Sequence, residues 1–122
     1  MKHSEGFLKI VNEAKKSIKE TTVDAVVAKI KNKENFIFVD VREDEEWKQG
    51  RAKGAIHLGK GVIERDVETI IPDKNQEIIL YCGGGFRSAL AADALQKMGY
   101  TNVISMDGGI RVWREKGLPE DK

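Results

Sequence analysis

Ile78-Ile79-Leu80-Tyr81-Cys82-Gly83-Gly84-Gly85-Phe86-Arg87-Ser88-Ala89-Leu90-Ala91-Ala92 carries the strongest architectural signal in the chain. It opens with a short apolar, β-branched run, which reads as a buried strand. The alanine- and leucine-rich run after Arg87 reaches Met98, with Gly99 placed as a C-cap, and reads as a helix. Between the two lie the chain's single cysteine, three consecutive glycines and an arginine. A strand that stops at a cysteine, a loop free to take unusual backbone angles and a helix starting at once make an anion cradle with a nucleophile at its floor. The helix N-terminus adds about half a positive charge on the same side, which favours a thiolate. The competing reading is an inert core cysteine beside a tight turn. Three glycines, Arg87 and a helix start in immediate succession favour the cysteine enzyme.

The composition narrows the function classes. At 122 residues the chain makes one domain with a real core. Hydrophobic residues at 40% and charged residues at 34% describe an ordinary globular protein. The 21 basic and 20 acidic side chains leave a net charge of +1, so no global field points to nucleic acid or to a membrane face. One cysteine cannot close an internal disulfide, and with no signal-like apolar segment the expected location is a reducing cytoplasm. No apolar run approaches the ~20 residues of a membrane span. Neither a metal nor a cofactor is expected, since His3 and His57 lie far apart and one thiol adds little to a ligand set.

Outward from the cysteine loop, Phe36-Ile37-Phe38-Val39 is a second apolar run without alternation, a strand covered on both faces that ends in Asp40-Val41-Arg42. Glu43, Asp44, Glu45 and Glu46 load the first turn of a short helix with negative charge, with Trp47 packed inward and Gly50 as its stop. Gly54 to Leu58 predicts a short strand, and Val62 to Ile71 one or two helical turns ending before Pro72. Downstream, Thr101 to Met106 predicts another strand and Asp107-Gly108-Gly109 a tight turn. A last helix then carries Ile110 and Trp113, with Gly117 as C-cap and Pro119 beyond.

At the N-terminus Phe7, Leu8, Ile10, Val11, Ala14 and Ile18 recur near helical spacing, which predicts an amphipathic helix from Ser4 to Glu20. Thr22 caps a second helix that turns Val23, Val26, Val27 and Ile30 inward. Residues 1–20 are thus read as a helical extension and 21–122 as the domain proper. Strands alternating with short helices predict an α/β fold, a central and mostly parallel sheet of about four to five short strands with helices on both faces. Sites in such sheets lie at the carboxyl ends of strands, where Asp40, Arg42 and Cys82 all fall.

Three separated stretches resemble one family in order. Asp40-Val41-Arg42-Glu43 with Trp47, Gly50 and Gly54-Ala55-Ile56-His57 resembles the first signature of the rhodanese (sulfurtransferase) domain. Tyr81-Cys82-Gly83-Gly84-Gly85-Phe86-Arg87-Ser88 resembles its active-site loop, and Gly108-Gly109 with Trp113, Gly117 and Pro119 its closing motif. The resemblance runs from about Thr22 to Pro119 and marks a single-domain member. Family members often carry His-Ile-Pro where this chain has Arg51-Ala52-Lys53. Some thiosulfate-specific members carry a cation next to the cysteine, where this chain has Gly83.

The resemblance implies sulfane-sulfur transfer through a Cys82 persulfide. The donor is a small sulfur anion, thiosulfate or a polysulfide, and the acceptor a thiol, cyanide or a protein. Amides from Gly83, Gly84, Gly85, Phe86, Arg87 and Ser88 then hold the anions without a metal. Arg87 either adds a cation at the rim or ties the loop to a carboxylate. Asp40 and Arg42 are read as a partly buried ion pair that braces the loop, and His57 as a strand-end packing or hydrogen-bonding residue. Two rivals are weighed. A phosphatase or arsenate reductase needs a Cys-x5-Arg loop, whereas Arg87 stands five positions after Cys82 and Ser88 occupies the sixth. A persulfide-carrying or regulatory module with little turnover would dock through the N-terminal helix.

Overall fold

The computed structural model describes residues 3–122. Helices and strands follow in the order α1 (Glu5–Lys15), β1 (Lys19–Thr21), α2 (Val23–Lys31), β2 (Ile37–Asp40), α3 (Asp44–Lys48), β3 (Arg51–Ala52) and β4 (Ile56–His57). The chain continues through α4 (Ile63–Ile70), β5 (Ile78–Tyr81), α5 (Phe86–Lys97), β6 (Val103–Met106), α6 (Gly109–Glu115) and β7 (Glu120–Asp121). Five strands form a sheet in the order β1-β6-β5-β2-β4, with every neighbouring pair parallel. The cysteine strand β5 is central, and its Ile78 to Tyr81 lie opposite Ile37 to Asp40 of β2.

Both faces of β5 are covered, which is why its sequence shows no polar alternation. Ile78 and Leu80 turn towards Ile63 and Val67 of α4 and Ala91, Ala92 and Leu95 of α5. Ile79 and Tyr81 turn the other way, towards Val23 and Val26 of α2 and Ile110 and Trp113 of α6. Two apolar layers with the sheet between them make this the α/β architecture that the alternating pattern predicts. No helix among the described residues is long and apolar enough to cross a membrane.

Several local expectations are corrected. The helix predicted over Ser4–Glu20 starts on its Ser4 cap but ends at Lys15, and Lys19–Thr21 forms one edge strand of the sheet, opposite Ile104–Met106. Burial explains the shift: Val11 and Ala14 are buried, Ile10 faces solvent at 51% exposure, and Ile18 packs partly against the first apolar layer. In α2, Val23 and Val26 are buried whereas Ile30 lies largely exposed near the helix end. Trp47 does not enter the core. It lies half-buried, stacked on the His57 ring (4.8 Å between centroids) with the Arg51 guanidinium 4.3 Å above its own ring. A second, two-stranded sheet pairs β3 with β7, antiparallel.

Candidate active site

The site begins where β5 stops. Cys82 is 1% exposed and joins the apolar layer beneath α4 and α5, yet its sulfur does not end in apolar surroundings. The backbone N–H of Gly85 donates to Sγ at 3.2 Å and that of Ser88 at 3.4 Å, with the Ser88 hydroxyl 3.7 Å away. Ser88 Oγ is itself positioned by Ser105 Oγ of β6, at 2.8 Å. Two main-chain N–H dipoles thus converge on one sulfur, and the sulfur in turn faces the Ser88 hydroxyl oxygen. The turn that aims them needs Gly85 at φ +106, as the α5 N-cap; a side chain there would meet Asp107 Oδ1 at 2.9 Å.

The back of the loop is fixed by α6. Ile110 N–H donates to the Cys82 carbonyl at 2.9 Å and Arg111 N–H to the Gly83 carbonyl at 3.1 Å. Gly109, at φ +55, makes that approach possible: a Cβ there would overlap the Cys82 carbonyl oxygen and lie 2.7 Å from that of Gly83. The closing glycine pair therefore serves the cysteine loop directly.

Arg87 ties the loop to a carboxylate. Its Nη1 donates to Glu46 Oε1 at 2.7 Å and its Nη2 to Oε2 at 3.2 Å, across 41 positions of sequence. The bond to Glu46 raises the Arg87 pKa, with the nearby Cys82 sulfur as a further contributor. The Arg87 bond likewise holds the Glu46 carboxyl below its ordinary value. Glu46 also accepts from Glu43 N–H at 3.1 Å in a capping box that starts α3, so the acidic run serves helix and loop together.

Asp40 and Arg42 do form a buried ion pair, with side chains 0% and 4% exposed and Nη2 2.8 Å from Oδ2. Asp40 Oδ1 also accepts from Arg42 N–H at 2.8 Å. The pair braces a different place from the one expected. Arg42 Nη2 donates onward to the Gly50 carbonyl at 2.7 Å, which ties β2 to the turn before β3 and not to the cysteine loop. Beside it the Tyr81 hydroxyl accepts from Ala52 N–H at 3.0 Å, and burial, with Asp40 nearby, pushes its pKa far above the usual phenol value. His57 Nε2 lies 2.8 Å from the Arg42 carbonyl; a carbonyl only accepts, so Nε2 carries the proton.

Over the sulfur opens a cleft of about 590 Å³. Cys82, Gly83 and Gly84 form its floor, with Phe86 and Arg87 of α5, Phe7 of α1 and Arg111 and Val112 of α6 around it. Phe7, Arg111 and Val112 are absent from the residues singled out by sequence. Phe7 reads there only as one apolar position of a helix, and Arg111 carries no signal beyond following the glycine pair.

The family model for the Rhodanese-like domain matches residues 22–116. The chain is 34% identical over 104 residues to the putative sulfurtransferase YtwF of Bacillus subtilis, an alignment covering 85% of this chain and 98% of that one. It is 32% identical over 105 residues to the putative sulfur carrier protein YrkF of the same organism, covering 86% of this chain but only 56% of that longer protein. Among solved structures, a Rhodopseudomonas palustris protein of unknown function, described as a possible tyrosine phosphatase, superposes over 99% of this chain and 98% of its own at a TM-score of 0.87 and 28% identity. A rhodanese with anions from E. coli matches over 70% of this chain and 96% of its own, with a TM-score of 0.62 and 31% identity. With the match running from Thr22 to Lys116, through the cysteine loop and through every strand of the main sheet but the first, the chain belongs to the rhodanese-like domain family.

Proposed function

We propose that this protein is a sulfurtransferase that moves sulfane sulfur through a persulfide on Cys82. The observation that carries the reading is the convergence of the Gly85 and Ser88 N–H groups on Sγ. Both groups turn the positive end of an N–H dipole on the sulfur, which suits a nucleophile that works without an adjacent histidine. The thiolate attacks the outer sulfur of thiosulfate; the S–S bond breaks, its electron pair leaves with sulfite, and Cys82 retains the transferred sulfur. A polysulfide donor releases a shortened polysulfide anion in the same way. The first-turn amides of Phe86 and Arg87 have no intrahelical acceptor, so they are available to the donor and the leaving anion. An acceptor thiolate, cyanide or a protein thiol then takes the outer sulfur and returns the electron pair to Cys82. With no second cysteine in the chain, the persulfide cannot collapse into an internal disulfide.

A phosphatase reading fits the loop less well. Ser88 stands where a Cys-x5-Arg loop carries its arginine, and both terminal nitrogens of Arg87 are engaged by Glu46. The similarity to a putative sulfur carrier favours a second reading, a module that holds the persulfide for one partner with little turnover. One experiment separates these outcomes. Incubation with thiosulfate or a polysulfide should add one sulfur atom, about 32 Da, to the intact mass. Cys82→Ser should abolish both the gain and the transfer to cyanide while staying folded. Transfer retained by Cys82→Ser refutes the proposal, and loading without multiple turnover assigns the carrier role.

A further inference from the structure

The cleft above Cys82 is larger than its expected donor requires. Its volume of about 590 Å³ lies within the ~300–1,000 Å³ of small-molecule sites, and a thiosulfate ion fills only a small part of it. One wall comes from outside the residues that match the family. Phe7 of α1 lies 6.2 Å from Phe86 between ring centroids, and His3 packs on both rings, at 5.2 Å from Phe7 and 4.8 Å from Phe86. Val112 continues the apolar lining from α6. Such tilted rings receive an aromatic or aliphatic body edge-on or offset.

The charged groups of the cleft are not equivalent. Arg87 is committed to Glu46 by two hydrogen bonds, and Asp107 is met by Lys15 Nζ at 3.7 Å. Arg111 is exposed, lines the cleft and forms no ion pair among the described residues. Its backbone is locked to the Gly83 carbonyl, so its side chain starts one residue from the reacting sulfur. Of the two roles the sequence leaves open for Arg87, the bonds to Glu46 match the tie to a carboxylate, and the cation left to meet an anion is Arg111.

We propose that Arg111 and the aromatic wall laid down by α1 select the sulfur acceptor. It is a small organic thiol with an aromatic or aliphatic body and a carboxylate, the body against Phe7 and Phe86 and the carboxylate on Arg111. This assignment rests on the sulfur-transfer reading. In the step it serves, the acceptor thiolate attacks the outer sulfur of the Cys82 persulfide, and the S–S bond breaks. Its electron pair returns to Cys82 as thiolate, and the acceptor leaves as a hydropersulfide that keeps the proton of the outer sulfur.

The test uses protein preloaded with sulfur, confirmed by its mass gain, and two thiols that share a body and differ in charge: para-(mercaptomethyl)benzoate and para-methylbenzyl thiol. Loss of the added mass is followed against time. The wild type should discharge to the carboxylate thiol about tenfold faster than to the neutral one, equivalent to ~1.4 kcal/mol. Arg111→Gln should bring that ratio to about one, and Arg111→Glu should push it below one, as expected of a single charge contact. Phe7→Ala should slow both aryl thiols together and leave their ratio unchanged. A wild-type ratio near one, or a ratio that survives Arg111→Gln, overturns the assignment while leaving sulfur transfer intact. A protein that never gains sulfur overturns the transfer reading and this assignment with it.

Discussion

Replacing Gly109 by alanine tests whether α6 holds the cysteine loop in place. Gly117 provides the control, because its φ of +66 is close to the +55 of Gly109 and its added Cβ would meet nothing within 4 Å. Forcing alanine into the left-handed region costs about 1–2 kcal/mol at either position, offset by roughly 0.4–1 kcal/mol from a stiffer unfolded chain. At Gly109 a second cost arises. The new Cβ would overlap the Cys82 carbonyl oxygen and press on Gly83, so α6 and the loop must part. Parting them weakens the Ile110 and Arg111 hydrogen bonds to that loop, each contributing about 1 kcal/mol. Gly109→Ala should therefore lose about 2 kcal/mol more than Gly117→Ala, read as the shift in urea midpoint at constant slope. The displaced loop should also draw Sγ away from the Gly85 and Ser88 amides, slowing sulfur loading about tenfold or more, a loss of ~1.4 kcal/mol in barrier terms. Equal stability losses in the two variants, with loading at the wild-type rate, would refute the idea that this contact sets the sulfur's position.

Two further perturbations probe the supporting ion pairs. Asp40→Asn leaves the Arg42 guanidinium buried without its counter-charge and should cost about 3–5 kcal/mol, whereas Asp40→Leu with Arg42→Met should recover most of that loss. Urea titrations decide it, and a single-variant cost below ~1 kcal/mol contradicts a bracing role. For Arg87–Glu46 the sign follows from the carboxyl being held low in the fold. The pair's stabilisation is complete above the unfolded carboxyl pKa near ~4.3 and is lost as pH falls through the lower folded value. The stability of the wild type and Glu46→Gln should thus converge from about pH 5 downward, by a small margin because the pair is partly solvated. Curves that stay parallel to pH ~3 count against the pair.

What could be read in the sequence was whatever local chemistry imposes. The strand at Ile78–Tyr81 and the helix from Phe86 carry unbroken apolar and alanine-rich runs, and the glycines between them announce a special turn. The edge strand Lys19–Thr21 escaped because two of its three residues face solvent, so it extends the preceding helix pattern just as well. The ribbon of Arg51–Ala52 with Glu120–Asp121 is too short for any period to show. Glu46 is one of four consecutive acidic residues, and only the folded chain distinguishes the one that meets Arg87. Trp47 reads as a core residue by its size, yet Arg51 and His57 sandwich it at the surface. Cys82 carries a feature of each reading: its side chain is enclosed among core residues, and its sulfur faces the Gly85 amide.

The anchoring of Cys82 and Gly83 by the opening amides of α6 bears on how the proposed sulfur exchange would proceed. Because the same two hydrogen bonds begin a helix and clamp the reactive turn, that turn cannot swing aside like a lid unless α6 frays with it. On the proposed function, donor and acceptor would come to a mouth that already exists, the cleft over Cys82. Deuterium uptake at Ile110 and Arg111 should then stay slow and unchanged whether or not Cys82 carries an extra sulfur atom.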